Sequence, residues 1–268
     1  MQEVTVSSTA KAMAAVRACE SKRQDALFND PFAERLAGEE AMAKAISLTE
    51  QHEKQGRPYA QVRTRFLDDF LLSNVKNISQ VVLLGAGLDT RAFRLELPKQ
   101  LRFFELDQEE IILYKNQILA NDCPRCDRQT IATNLGESGW VDLLLNSGFN
   151  PSEPTIWILE GFLYYLTEEQ AKILMTRIND LSAVGSVLGC DLINHATCNS
   201  SDDWAFMWQF GCDVPEDFFA EYGWNAKAVQ PNEPEGAFGR FTFKFAPREN
   251  IEEIHIFFVK ALKEEVII

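Results

Sequence analysis

VVLLGAGLDTRAFRL, residues 81–95, decides how this chain is read. Four apolar residues run without interruption into Gly85-Ala86-Gly87. A short apolar run that ends in glycines marks a strand covered on both faces, followed by a turn. In an open α/β sheet the ligand lies just past the carboxyl end of such a strand. Glycine there lets the backbone come close to the ligand.

The residues after the glycines narrow the ligand. A dinucleotide fingerprint needs a third small residue, and this chain has Thr90 in its place. It also aims a helix N-terminus at a pyrophosphate, and here Asp89 stands in that region, where its charge would repel the phosphates. The turn therefore suits an adenosine-bearing ligand with no phosphate at that point, and S-adenosylmethionine is the obvious one. The next strand ends in Asp107, 20 residues beyond Gly87. Its two oxygens match the two vicinal hydroxyls of a ribose. NAD enzymes use the same feature, so Asp107 does not separate the two cofactors. Glu160, at the end of another strand, would face the cleft and meet the ammonium and sulfonium end.

Outward from this turn, β-rich runs alternate with helical ones. The strands are expected at 81–85, 101–107, 128–133, 154–160 and 184–191, with two late ones in GWNAKAVQ and EEIHIFFVKALK. The intervening segments carry helical periodicity, and Thr167 with Gln170 forms a capping box. This alternation predicts a mostly parallel sheet. Residues 1–78 read as a helical cap in three segments, the second opening on an Asp30-Pro31 cap. Residues 79–268 read as the ligand-binding domain. A Trp-rich insertion at about 195–222 is either a lid or part of the core.

Composition removes other classes. Lys and Arg number 26 against 40 Asp and Glu, a net charge of −14, which argues against binding a phosphate backbone. No apolar run reaches the roughly 20 residues of a membrane span, and no secretory signal opens the chain. A cytoplasmic protein with reduced cysteines is expected. Cys123 and Cys126 form a CPRC without a second pair, so no metal site is expected.

The blocks TAKAMAAVRACESKRQDALFNDPFAERLAG, RTRFLDD, LLGAGLDTRAFRL, FFELDQ and LEGFLYYLTEE resemble, in order, the leucine carboxyl methyltransferase family. The likeness is closer to its bacterial branch, which includes O-methyltransferases of secondary metabolism. It implies a class I methyltransferase sheet of seven strands with an N-terminal helical extension over S-adenosylmethionine. It also implies Arg63 on the cofactor carboxylate, Gly85, Ala86 and Gly87 at the turn, Asp107 on the ribose, Asn134-Leu135 beside the adenine, and Glu160 at the amino-acid end. Asn134 stands where the family has Asp, and Gln108 where it often has Pro.

Methyl transfer to a carboxylate needs no base, whereas a phenol or alcohol does. His195, after the fifth strand, is the candidate base. Tyr164, Asp191, Trp204 and Trp208 are candidates for the substrate pocket. His52 reads as exposed and His255 as structural. The expected activity is O-methylation of a small-molecule hydroxyl, enol or carboxylate. Rival readings are methylation of a protein C-terminal carboxylate, NAD-dependent oxidoreduction and a non-catalytic cofactor-binding module. Against oxidoreduction, no Tyr-x-x-x-Lys pair is present. Nothing in the sequence fixes an oligomeric state.

Overall fold

The computed structural model describes residues 6–200 and 205–265. Three helices come first: α1 (Val6–Ser21), α2 (Ala33–Lys54, interrupted at Gly38) and α3 (Tyr59–Asn74). The core alternation then runs β1 (Gln80–Leu84), α4 (Arg91–Arg94), β2 (Arg102–Asp107), α5 (Glu109–Ile118), β3 (Asp127–Ala132), α6 (Trp140–Asn146), β4 (Ile156–Leu159), α7 (Glu168–Asp180) and β5 (Val187–Ile193). Short helices α8 (His195–Cys198) and α9 (Pro215–Ala220) lead to β6 (Trp224–Val229), and α10 (Pro234–Ala237) precedes β7 (Ile256–Lys263).

The seven strands form one sheet in the order β3-β2-β1-β4-β5-β7-β6. The first five are parallel, and β7 runs antiparallel to both β5 and β6. This is the seven-stranded arrangement expected from the family resemblance. Alternate residues of the central strands serve two cores. Val81, Leu83, Ile156 and Ile158 face α1, α3 and α5, while Val82, Leu84, Trp157 and Leu159 face α6 and α7. Both faces are thus buried, which explains strands without polar alternation.

One contact sets the position of α3. A Cβ on Gly189 of β5 would lie 2.6 Å from the Phe70 ring, so only glycine admits the helix this close. That approach brings Tyr59 and Arg63, at the start of α3, down to the carboxyl ends of β4 and β5.

Several expected boundaries move. α2 begins at Ala33 rather than at Pro31, and Asp30 caps the turn before it: its Oδ1 accepts from the Phe32 N–H at 3.2 Å while its Oδ2 accepts from Arg17 at 2.9 Å. β5 extends to Ile193 because β7 pairs with it through Ile193–Ile256. β6 and β7 are not a tight hairpin; residues 230–255 join them and return over α2 and α3, with Thr242 and Phe243 N–H groups donating to the Gly56 carbonyl. The Thr167–Gln170 capping box forms in both directions. Among the described residues no helix is long and apolar enough to cross a membrane, and no group of three His, Cys, Asp or Glu could hold a metal ion.

Candidate cofactor and acceptor site

The chain leaves β1 through Gly85 with φ +67°, a conformation that side chains rarely tolerate. The Gly85 and Ala86 N–H groups both donate to the Leu106 carbonyl at 3.0 Å, which ties the turn to β2. Asp107 completes the tie, accepting from the Gly87 N–H at 2.6 Å and the Gln108 N–H at 2.7 Å. Each carboxylate oxygen has a second acceptor position, so these bonds leave room for ligand hydroxyls. Burial raises the Asp107 pKa against the opposing pull of those two donors.

Beside the turn lies a buried ladder of charges. Arg63 donates from Nε to Glu160 at 3.0 Å and from Nη1 to Asp191 at 3.0 Å and to the Tyr164 hydroxyl at 3.1 Å. Arg91 holds the other Glu160 oxygen at 2.7 Å, pairs with Asp89, and donates to Asp68 at 2.7 Å. Arg94 shares Asp68, and Arg17 joins Asp30 to the Leu88 carbonyl. Burial alone would raise the Glu160 pKa; Arg91, Arg63 and Arg17 reverse this and hold it at about 2. Tyr59 donates to Asp191, and burial with that carboxylate keeps both the Tyr59 and Tyr164 phenols far above their ordinary pKa. Neither phenol is poised to act as a base near neutral pH.

A cavity of about 1490 Å³ runs along the carboxyl ends of the strands. It brings together Arg63, Gly85, Ala86, Gly87, Asp107, Asn134, Leu135, Glu160, Tyr164 and Trp208, all expected from sequence. Asn134 Oδ1 accepts from the Gly136 N–H at 3.0 Å, which leaves its second lone pair unused by that bond. Arg63 commits Nε and Nη1 to these partners, and its Nη2 lies 3.7 Å from the Met13 sulfur.

Other expectations change. His195 does not line the cavity: its side chain is 60% exposed and its Nδ1 lies 3.0 Å from Asp213. The chain turns outward at Asn194, whose side chain caps the short α8. Asp191 is fully buried behind the wall, where it accepts from Tyr59, Arg63 and the Gly161 N–H instead of facing substrate. His52, read as exposed, is half-buried and lines the cavity, because residues 230–255 close over the end of α2. Asp89 is taken by Arg91, so the charge argument against a pyrophosphate loses its force. Trp204 lies outside the described residues. The insertion divides: Phe210 and Phe219 are core, Trp208 faces the cavity, and Phe206 is 68% exposed. His255 is structural, its Nε2 2.9 Å from the Asn250 carbonyl.

The reading of the residues passed over Arg17, Asp68, Arg91 and Gly161. A signal was present for two of them. Asp68 interrupts the apolar face of α3 between Leu67 and Phe70, and Arg91 stands three residues from Arg94, on one helical face. Charges at positions periodicity assigns to the core are paired with one another.

Known proteins bear on this geometry. Residues 10–179 match the family model described as leucine carboxyl methyltransferase. A protein of Parafrankia sp. (strain EAN1pec), named "Putative S-adenosyl-L-methionine-dependent methyltransferase", is 36% identical over 243 residues, 84% of this chain and 78% of its own. The crystal structure of a DUF574-family protein from Streptomyces avermitilis superposes with a TM-score of 0.63 at 15% identity, covering 93% of this chain and 96% of that one. The N-methyltransferase NodS of Bradyrhizobium japonicum, solved with S-adenosyl-L-homocysteine, gives a TM-score of 0.51 at 14% identity, over 95% of this chain and 100% of that one. These two show the fold alone. By the extent of the family match and of the sequence identity, the chain belongs to the leucine carboxyl methyltransferase family of S-adenosylmethionine-dependent methyltransferases.

Proposed function

We propose that this chain methylates an oxygen of a small molecule (a hydroxyl, an enol or a carboxylate) in secondary metabolism. Residues 1–78 would act as the cap of the site. The observation that carries this reading is the cavity. Single ligands occupy about 300–1,000 Å³, and here about 1490 Å³ is lined both by residues at the ends of β1, β2 and β4 and by Ile193 of β5 and Ile256 of β7. That is room for a cofactor and an acceptor side by side.

The donor set fits S-adenosylmethionine. The charge ladder sets Asp30, Asp68, Asp89, Glu160 and Asp191 against Arg17, Arg63, Arg91 and Arg94, one more negative group than positive. A ligand carrying one net positive charge balances it. Asp107 would take the ribose, Asn134 and Leu135 the adenine, Glu160 the ammonium and Arg63 Nη2 the carboxylate. The cofactor supplies an electrophilic methyl on a sulfonium. The protein's share is alignment: Tyr164 and Trp208, with ring centroids 5.7 Å apart, wall the passage between the two halves. No base is assigned, and an acceptor that is already ionised needs none. Such an acceptor keeps the family's carboxylate chemistry on a small molecule.

The test is calorimetry with S-adenosylhomocysteine and with NADH, followed by labelled-methyl transfer over phenols, enols and acids. Binding of the homocysteine product and radiolabel in an ester or ether are expected. Binding of NADH instead, or label only in a protein C-terminus, sinks the reading.

A further inference from the structure

Two side-chain amides meet at the end of the cavity away from the charge ladder. The sheet order runs β3-β2-β1-β4, with Asp89 and Glu160 just past β1 and β4 and Asp107 closing β2. One strand further out, the chain leaves β3 through Thr133, Asn134, Leu135 and Gly136, all of which line the cavity. Gln170, in the first turn of α7, lines it at the same place. A nucleoside with its ribose on Asp107 and a charged tail on Glu160 has its base on the β3 side, because base and tail leave opposite ends of the sugar ring.

Each amide is oriented by bonds of its own. Gln170 Oε1 accepts from the Thr167 N–H at 2.9 Å, which is half of the capping box. That bond fixes which end of the amide is oxygen. Nε2 therefore points away from the box, and among the described residues it has no acceptor. Asn134 Oδ1 accepts from the Gly136 N–H at 3.0 Å, and its Nδ2 donates to Glu137 at 2.9 Å. What is left over is one lone pair on Oδ1 and two hydrogens on Nε2. The two atoms converge: a Cβ on Gly136 would lie 3.1 Å from Gln170 Nε2 and 3.3 Å from Asn134 Oδ1. A donor beside an acceptor matches the edge of adenine, which offers a ring nitrogen as acceptor next to an amino group as donor. Hypoxanthine presents the reverse, a ring N–H next to a carbonyl.

We infer that Gln170 selects adenine as the base of the cofactor, its Nε2 donating to the ring nitrogen while Asn134 Oδ1 accepts from the amino group. This rests on the reading above that sets the ribose on Asp107 and the ammonium on Glu160. One side chain then serves two purposes: its oxygen starts α7 and its nitrogen meets the ligand. Chemistry can separate them. Glutamate closes a capping box as glutamine does, but when ionised it has no donor.

Calorimetry on the full chain compares S-adenosylhomocysteine with S-inosylhomocysteine, in which a carbonyl replaces the adenine amino group. One neutral hydrogen bond contributes a factor of about 2–12. The inosyl compound loses two and sets like groups against each other, so the parent should prefer the adenosyl compound by at least about tenfold. Gln170→Glu should bind S-adenosylhomocysteine at least about threefold more weakly and bring the preference to within about threefold. Both ligands are measured on one protein, so their ratio is unaffected by any loss of folded fraction. Gln170→Ala, which removes donor and box together, should narrow the preference in the same way. Equal binding of the two compounds to the parent overturns the inference, and so does a preference in Gln170→Glu as large as the parent's. Asp107→Ala separates this from the placement beneath it. If that variant binds S-adenosylhomocysteine as the parent does, the ribose is not on Asp107 and the inference falls with the placement. If it binds more weakly while Gln170→Glu keeps the parent's preference, the inference alone falls.

Discussion

The β1–β4 side of the cavity and the β5–β7 side are held in different ways. On the first, Arg91 is wholly buried and binds three carboxylates from three segments, and Arg63 spans the ends of two strands. Moving any one member strands the others. On the second, rings and aliphatic side chains such as Ile193, Phe241, Phe245 and Ile256 share the walls with polar ones such as His52, Thr197 and Gln209. Dispersion contacts there are numerous, individually small and tolerant of exchange. A network of buried charges fixes geometry because a half-satisfied one is costly.

The largest expected effect tests the rigid end. Asp68→Ala leaves Arg91 and Arg94 buried without their shared partner. Breaking a buried pair costs about 3–5 kcal/mol, and a fall of that size in urea-unfolding stability should follow. A loss below about 1 kcal/mol, the worth of an exposed pair, would mean that the ladder does not hold this side together.

Acid should attack the same side. The Glu160 pKa is held at about 2, below the ordinary value of about 4.3 for an unfolded chain. Its contribution is therefore complete above about pH 5 and is lost as pH falls toward 2, an amount on the order of 3 kcal/mol. Asp107 works in the opposite direction, because its pKa is raised by burial and protonation favours the folded form. Stability measured from pH 6 to pH 2 should fall, and it should fall further in Asp107→Asn, where the opposing group is gone. A rise on acidification would contradict the assignment of Glu160.

Arg63→Lys sharpens the comparison at its boundary. A lysine cannot reach Glu160, Asp191 and a ligand carboxylate together. A loss of about 1.5–3 kcal/mol in S-adenosylhomocysteine affinity is expected. Equal affinity by calorimetry would remove α3 from the clamp. Asp107→Ala should cost a similar amount, through the ribose and through release of the Gly87 N–H.

The smallest effect belongs to His195. Its pair with Asp213 is exposed, and such pairs are worth about 0–1 kcal/mol. His195→Ala should leave stability and turnover within about twofold at every pH tested. A pH-dependent loss of about 10²-fold or more, the size of general-base catalysis, would return His195 to the chemistry.

The cofactor end was legible because its signals are local. A strand running into Gly85-Ala86-Gly87 and an acid closing the next strand have short-range causes: φ values only glycine adopts readily, and apolar runs that must be covered. Gly85, Gly87, Asp107 and Glu160 therefore appear in one cavity, as their positions at strand ends implied. Residue type and spacing also settled the order of helices and strands and the Thr167 cap. Features that depend on long-range contact were not legible. Asp191 looked like a rim acid until Tyr59, Arg63 and Gly161 enclosed it. His52 and His195 exchanged places, one drawn into the cavity by residues 230–255 and the other turned out by Asn194. The order of residues was enough to say which backbone could form and which ligand it could approach. Which charges met was decided in the folded chain, because the partner of a buried charge is set by whatever segment packs against it.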